Sequence, residues 1–239
     1  MTSSEGDTVT AQRACFTARG VWKGAVDIMP ITVFVFPFGV AFGVAASAKA
    51  LPSGIAVLMS AAVFAGASQF AALDLWIAPL PLAMLAVTVL AVNARHILLG
   101  AALAPWLLQL PIARRVAALL FLSDSNFAYA MSAHGREERD AGILLGSGLA
   151  LWIAWIAGTT VGSYGGASLG DLSRFGFDAI MVTYFAAVVV GQWRGSADLI
   201  PWTVAAAVAL ICAHLFPPGW HIIAGALAGG ITGAWRHGS

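Results

Sequence analysis

Asp124 stands in the run Leu122, Ser123, Asp124, Ser125, Asn126, four adjacent polar groups inside an otherwise apolar stretch. A carboxylate among hydroxyls and an amide is a local site for a proton, a cation or an ammonium group. The same run also fits a helix end at a membrane surface. At the centre of a bilayer an ionisable side chain costs about 2.5–3.5 kcal/mol on insertion scales, so it faces a cavity or a partner. Asn93, Arg95 and His96 bring an amide, a permanent cation and a titratable imidazole into four positions of a second apolar region. Arg95 is able to hold a carboxylate bidentately or to neutralise Asp124, and His96 to relay a proton in the physiological range. If the chain simply turns at a surface there, all three are interfacial loop residues. Asp178 follows Phe175, Gly176 and Phe177 and opens an apolar run. It is either an ion-coupling group or a helix-start residue near the positive end of the macrodipole.

Backbone chemistry is the second source of reactive groups. In residues 30–43 (PITVFVFPFGVAFG), Pro37 lacks an N–H and clashes with the preceding turn, and Gly39 and Gly43 tolerate unusual dihedrals. A broken helix is expected there. Breaking a helix inside a membrane frees N–H and C=O groups, which transporters use to hold substrate carboxylate, ammonium or ions. Residues 64–70 (FAGASQF) add Gly66, Ala67 and Ser68, which permit close backbone approach, and Gln69, whose amide both donates and accepts. Small residues of this kind also serve tight packing alone.

The elements that must position these groups are set by composition. Of 239 residues, 60% are hydrophobic and 10% charged, with a mean hydropathy of +0.87. A soluble domain is about a quarter charged, so water is not the main solvent here. Apolar runs occupy residues 24–48, 54–73, 75–110, 116–133, 141–164, 175–193, 199–216 and 220–235, each near or above the roughly 20 residues that cross a bilayer. The expected fold is all-α: a polytopic integral membrane protein of seven to nine transmembrane helices, with broken helices near the N-terminal half. Residues 1–20 are expected to form a cytoplasmic tail, and 21–239 a single transmembrane domain. Arg13, Arg19 and Lys23 ahead of the first run favour a cytoplasmic N-terminus. Residues 75–110 hold either a helix hairpin or two half-helices meeting at 93–96. Trp22, Trp76, Trp106, Trp193, Trp202, Trp220 and Trp235 fall near run ends, as an interfacial aromatic belt would place them. Gly39 and Gly43 in one half echo Gly158 and Gly162 in the other, a pattern that either a structural repeat or chance produces.

Other classes are excluded or disfavoured. A net charge of +1 with no basic run beyond Arg114 and Arg115 leaves no track for nucleic acid. Cys15 and Cys212 have neither metal-ligand spacing nor a disulfide framework, and no metal or cofactor is expected. An intramembrane enzyme would need a nucleophile motif around Ser68 or Ser123 with His96 as base, and none is present.

The stretches DIMPITVFVFPFGVAFGVAA, VFAGASQFAAL, NARHILLGAALAP, LSDSNFAYA and GFDAIMVTYFAA, in this order over residues 20–195, resemble the AzlC family. This is the large subunit of two-component branched-chain amino acid exporters. The resemblance implies export of valine, leucine, isoleucine or methionine across the cell's inner (plasma) membrane, driven by a proton or ion gradient, with a small hydrophobic AzlD-like partner subunit. Where relatives carry Asp-Glu after Ser or Thr, this chain has Ser123, Asp124, Ser125, keeping the Asp and lacking the Glu. The expected substrate-binding set is Pro37, Phe38, Gly39, Gly43, Gly66, Ser68, Gln69, Phe70 and Asn93. Phe34, Phe42 and Phe64 would extend Phe38 and Phe70 into an apolar wall. Asp124, His96, Arg95 and Asp178 are the coupling candidates. A channel or a membrane scaffold is the alternative, and neither requires a gradient-coupled carboxylate.

Overall fold

The computed structural model describes residues 14–169, 195–216 and 220–237, together with positions 186, 190 and 193. Asp178 lies outside the described residues, as do positions 1–13 of the expected tail. The described chain is all-α. Its helices are α1 (Ala18–Asp27), α2 (Met29–Ala48), α3 (Ser53–Ala62), α4 (Gly66–Asp74), α5 (Leu82–Asn93), α6 (Arg95–Leu107), α7 (Ile112–Leu120), α8 (Asp124–Gly135), α9 (Gly142–Leu169), α10 (Leu199–Leu215) and α11 (Trp220–His237). Four stretches are long and apolar enough to cross a membrane: Met29–Ala48, Leu82–Leu107, Gly142–Gly166 and Ser196–Leu215. The polytopic membrane fold stands, but among the described residues these four spans fall short of the expected seven to nine. Two of the expected spans, 54–73 and 116–133, are pairs of short helices, and most of the expected span 175–193 lies outside the described residues.

The breaks are not where proline alone would put them. α2 runs without interruption through Pro37, which corrects the expected break at residues 30–43. An interior proline removes one hydrogen bond, and membrane helices tolerate this where neighbours and local adjustment compensate. The break comes one element later, at residues 63–65, where Val63 (φ −123°, ψ 86°) and Ala65 (φ −149°, ψ 80°) leave helical geometry. Residues 116–133 are likewise two helices, α7 and α8, parted at 121–123. The ambiguity at 75–110 resolves toward half-helices. Ala94 keeps right-handed helical dihedrals (φ −53°, ψ −28°) between α5 and α6, and the two make one 26-residue apolar run with no hairpin.

The chain divides into two compact units. The first comprises Met1–Pro30 and Leu98–Ala150. Thr17 caps α1 by accepting the Gly20 N–H at 3.0 Å, and its own N–H and hydroxyl donate to the Asp140 carboxylate. α1 and the start of α9 approach at backbone contact, since a Cβ on Gly24 would lie 2.6 Å from the Ile143 Cα and one on Gly146 would lie 3.0 Å from the Ala25 nitrogen, while Gly20 faces the Asp140 carboxylate. The core gathers Leu103, Trp106, Leu110, Leu122, Ile143 and Leu144. Trp106 is 2% exposed, stacks on His134 at 4.7 Å and donates its indole N–H to the Arg139 carbonyl. It is a core residue, which removes it from the expected lipid-facing belt, whereas Trp22 and Trp235 are largely exposed.

Outside the candidate spans, Lys23 Nζ lies 3.2 Å from Asp27 and 3.3 Å from Glu138. The Tyr129 hydroxyl donates to Asp27 at 2.8 Å. That bond, with the Lys23 ammonium, holds the Asp27 carboxyl below its ordinary value. Glu138 is lowered chiefly by accepting the Asp140 N–H, then by Lys23. Both carboxylates are depressed in the folded state, so their stabilisation is fully present above the unfolded-state values and is lost as pH falls through the folded ones. In an acid titration of the detergent-solubilised protein, Tm should therefore fall below pH ~4. Lys23→Met should fall less steeply there, because it removes part of both depressions.

The second unit comprises Ile31–Ile97 and Leu151–Ser239. Here α2 crosses α9 through paired glycines. A Cβ on Gly39 would lie 2.6 Å from the Trp155 carbonyl oxygen, and one on Gly158 would lie 2.9 Å from the Val40 nitrogen. One helix turn further, Gly43 meets Ser163 N at 2.6 Å and Gly162 meets the Val40 carbonyl carbon at 2.8 Å on the same construction. The two Gly-x-x-x-Gly patterns are thus the two sides of one helix crossing, the known use of small residues four apart in membranes. α10 and α11 pack on each other likewise, with Gly225 and Gly229 against Ala205.

Candidate functional site

The α3–α4 break lies in the second unit beside a buried ring of polar side chains. Gln69, the fourth residue of α4, is fully buried and both ends of its amide are engaged. Its Oε1 accepts from the Trp155 indole N–H at 2.9 Å and its Nε2 donates to Ser60 Oγ at 3.1 Å. Ser60 lies 2.8 Å from Thr159 Oγ1, and Thr159 donates to the Trp155 carbonyl at 2.9 Å. Three helices, α3, α4 and α9, are joined this way. Around the ring, Phe42 stacks on Trp155 at 5.9 Å and meets the edge of Phe70 at 5.4 Å.

The start of α4 is open by comparison. Its N-cap is Ala65, which has no side chain to cap the first turn, so the leading N–H groups present the positive end of the helix dipole. Ser68 donates to the Ala65 carbonyl at 2.9 Å and accepts from Asn93 Nδ2 at 3.2 Å. The side-chain amide oxygen of Asn93, Oδ1, is buried with no hydrogen-bond partner. His96 Nδ1 lies 3.2 Å from the Asn93 backbone oxygen, and Arg95, half-buried, opens α6. Gly66, Ser68, Asn93 and His96 are thereby linked around the start of α4.

Other expected members stand elsewhere. Gly39 and Gly43 turn their open sides to the α9 backbone, which corrects their expected part in a substrate-facing break. Gln69, expected to present its amide outward, has spent it on the ring. The expected aromatic wall is also revised, since Phe34 is 71% exposed while Phe42 is fully buried. Phe38 and Phe64 are packed against the core that contains Phe42, Phe70 and Trp155. Pro37 lies within α2.

Asp124 belongs to the first unit, where it is the first residue of α8 and is half-buried. Ser123 is the N-cap, and Asn126 completes a capping box by accepting the Ser123 N–H at 2.7 Å. Two of the four polar groups in that run are therefore structural, and the carboxylate stands at the helix N-terminus, where a negative charge is favoured. Among the described residues, no cluster of His, Cys, Asp and Glu has the makings of a metal site.

Sequence reasoning missed Ser60, Trp155 and Thr159. A signal was present: Trp155 and Thr159 are four apart and share a helix face, and a polar residue recurs on each side of the α3–α4 break.

Apolar spans, helix breaks and buried uncharged polar groups together define a polytopic helical membrane protein. The chain belongs to the AzlC family, whose model, described as AzlC protein, matches residues 30–169. It is similar to Inner membrane protein YgaZ of Escherichia coli K12, 31% identical over 150 residues, 62% of this chain and 61% of the relative. The chain thus matches less than two thirds of YgaZ's length. It is also similar to an uncharacterized membrane protein of Archaeoglobus fulgidus, 31% identical over 217 residues, 89% of this chain and 94% of the relative. No solved structure matches.

Proposed function

We propose that this chain is the large permease subunit of a two-component secondary transporter that exports branched-chain amino acids across the plasma membrane. It works with a small AzlD-like membrane partner and is coupled to a proton or ion gradient, and its N-terminus is cytoplasmic. The supporting observation is the α3–α4 break, which leaves the uncapped start of α4 beside the buried, unpartnered side-chain amide oxygen of Asn93. A zwitterion offers what both lack. Its carboxylate suits the N–H groups of Gly66 and Ala67 at the helix N-terminus, and its ammonium suits the Asn93 acceptor, with Ser68 between them. Phe38, Phe64 and Phe70 supply nearby apolar surface for a branched side chain. Asp124 is the first candidate for the coupling group, with His96 second and Arg95 third.

Efflux of labelled valine from preloaded cells tests this. Wild type should export valine at a rate that depends on external pH. Asp124→Asn should export more slowly and lose that dependence, and unchanged pH-dependent export would remove Asp124 from the mechanism. Counterflow separates a carrier from a channel or scaffold, because unlabelled substrate inside accelerates entry of label only through a carrier.

A further inference from the structure

The hydrogen bonds of the buried ring at the α3–α4 break can all run in one consistent direction. An indole N–H donates and never accepts, so Trp155 must give its proton to Gln69 Oε1, which fixes the Gln69 amide orientation. The single hydroxyl proton of Thr159 goes to the Trp155 carbonyl. Across the 2.8 Å gap, Ser60 must therefore be the donor to Thr159. Ser60, its proton used, is left to accept from Gln69. The chain of donors begins and ends on Trp155, each nitrogen and oxygen in it has a partner, and Ser60, Gln69 and Thr159 are fully buried with Trp155 at 6% exposure. Networks of this kind are stiff when complete and costly when one member is removed.

Trp155 also touches the start of α4 directly. A Cβ on Gly66 would lie 2.9 Å from the far edge of the indole, so the ring system packs beneath the first residue of that helix. The indole is held in turn by the stack on Phe42. Two independent contacts, one to Gly66 and one through Gln69, thus set where the leading N–H groups of α4 point.

We infer that Trp155, Ser60 and Thr159 determine the protein's affinity for its substrate without touching it, as positioning residues that act through Gln69 on the N-terminus of α4. The inference rests on the transport reading above and deepens it, assigning Gln69 to the support of the site. Loss of one ring bond displaces the α4 N–H groups from the substrate carboxylate, which weakens binding more than turnover.

Counterflow of labelled valine in proteoliposomes, run over a range of substrate concentrations, tests this with four variants. Trp155→Phe keeps the stack on Phe42 and loses the N–H. Ser60→Ala and Thr159→Val lose a hydroxyl, and Thr159→Ser keeps it. The first three should raise the half-saturation concentration about fivefold to tenfold, the effect of one buried hydrogen bond, with maximal rate within about twofold of wild type. Thr159→Ser should behave as wild type. Wild-type half-saturation in Trp155→Phe and Thr159→Val overturns the inference, as does a loss of maximal rate alone or a Thr159→Ser variant as impaired as Thr159→Val. If the wild-type protein shows no counterflow with any branched-chain amino acid, the transport reading fails and the inference falls with it.

Discussion

Gly158→Leu should abolish accumulation of folded protein. A Cβ at position 158 would meet the Val40 backbone nitrogen at 2.9 Å and the Gly39 Cα at 3.0 Å, and backbone atoms cannot rotate aside as a side chain can. Overpacking a core with flexible neighbours costs about 1–3 kcal/mol. Here the whole of α2 must move away from α9, so the loss should exceed about 3 kcal/mol, a large fraction of a typical domain's stability. Gly39→Leu should behave the same, being the other side of the same contact. Gly100→Ala is the control, since nothing lies within 4 Å of the Cβ it would add. Replacing a mid-helix glycine at such a position removes an entropic cost of about 0.5–1 kcal/mol, so this variant should be slightly stabilised. Thermal denaturation in detergent, read by the monodisperse fraction on size exclusion, separates the three.

Asn126→Leu should be nearly as damaging, for a different reason. Asn126 is fully buried and its amide donates to the carbonyls of Phe121 at 2.9 Å and Leu144 at 3.2 Å while accepting from the Ser123 N–H at 2.7 Å. A leucine fills the volume but removes all three bonds, although the Leu144 carbonyl still accepts from Ser147 Oγ at 3.2 Å. A lost hydrogen bond costs about 0.5–1.5 kcal/mol and a donor left unsatisfied about 1–3 kcal/mol, so the sum should exceed the ~1 kcal/mol of an ordinary N-cap. Ser123→Ala, which removes one capping side chain, should lose only about that smaller amount. Because the capping box sets where α8 begins, it also sets where the Asp124 carboxylate stands. Any Asn126→Leu protein that survives should export valine with weakened pH dependence, measured alongside Asp124→Asn.

Fold class was legible in the scarcity of charge, and FAGASQF, singled out for its small residues and Gln69, spans the α3–α4 break. What sequence misplaced was the element that breaks. Pro37 looked decisive because an interior proline removes a hydrogen bond and clashes with the preceding turn, yet α2 runs on through it and the glycines after it are committed to contact with α9. Gly39, Gly43, Gly158 and Gly162 were visible as two similar patterns in separate halves. That they are opposite sides of one crossing is a tertiary fact that spacing does not carry. Gln69 shows the same limit. Its type announced a donor and an acceptor, and only the packing of Trp155, Ser60 and Thr159 shows that both are used internally. Asp124 was read as either a coupling group or a helix end, and the structure makes it the first residue of a capped helix.

The ring of Trp155, Gln69, Ser60 and Thr159 contains no group that ionises in water's accessible range. Its geometry is therefore blind to membrane voltage as well as to acidity, and an amino acid zwitterion seated above it would add no net charge to the span. A substrate step built on these residues would be electrically silent. On the proposed mechanism, current accompanying transport would enter through the coupling candidates Asp124, His96, Arg95 and Asp178, so an electrophysiological recording of charge movement with and without valine would read those residues and leave the ring out of view.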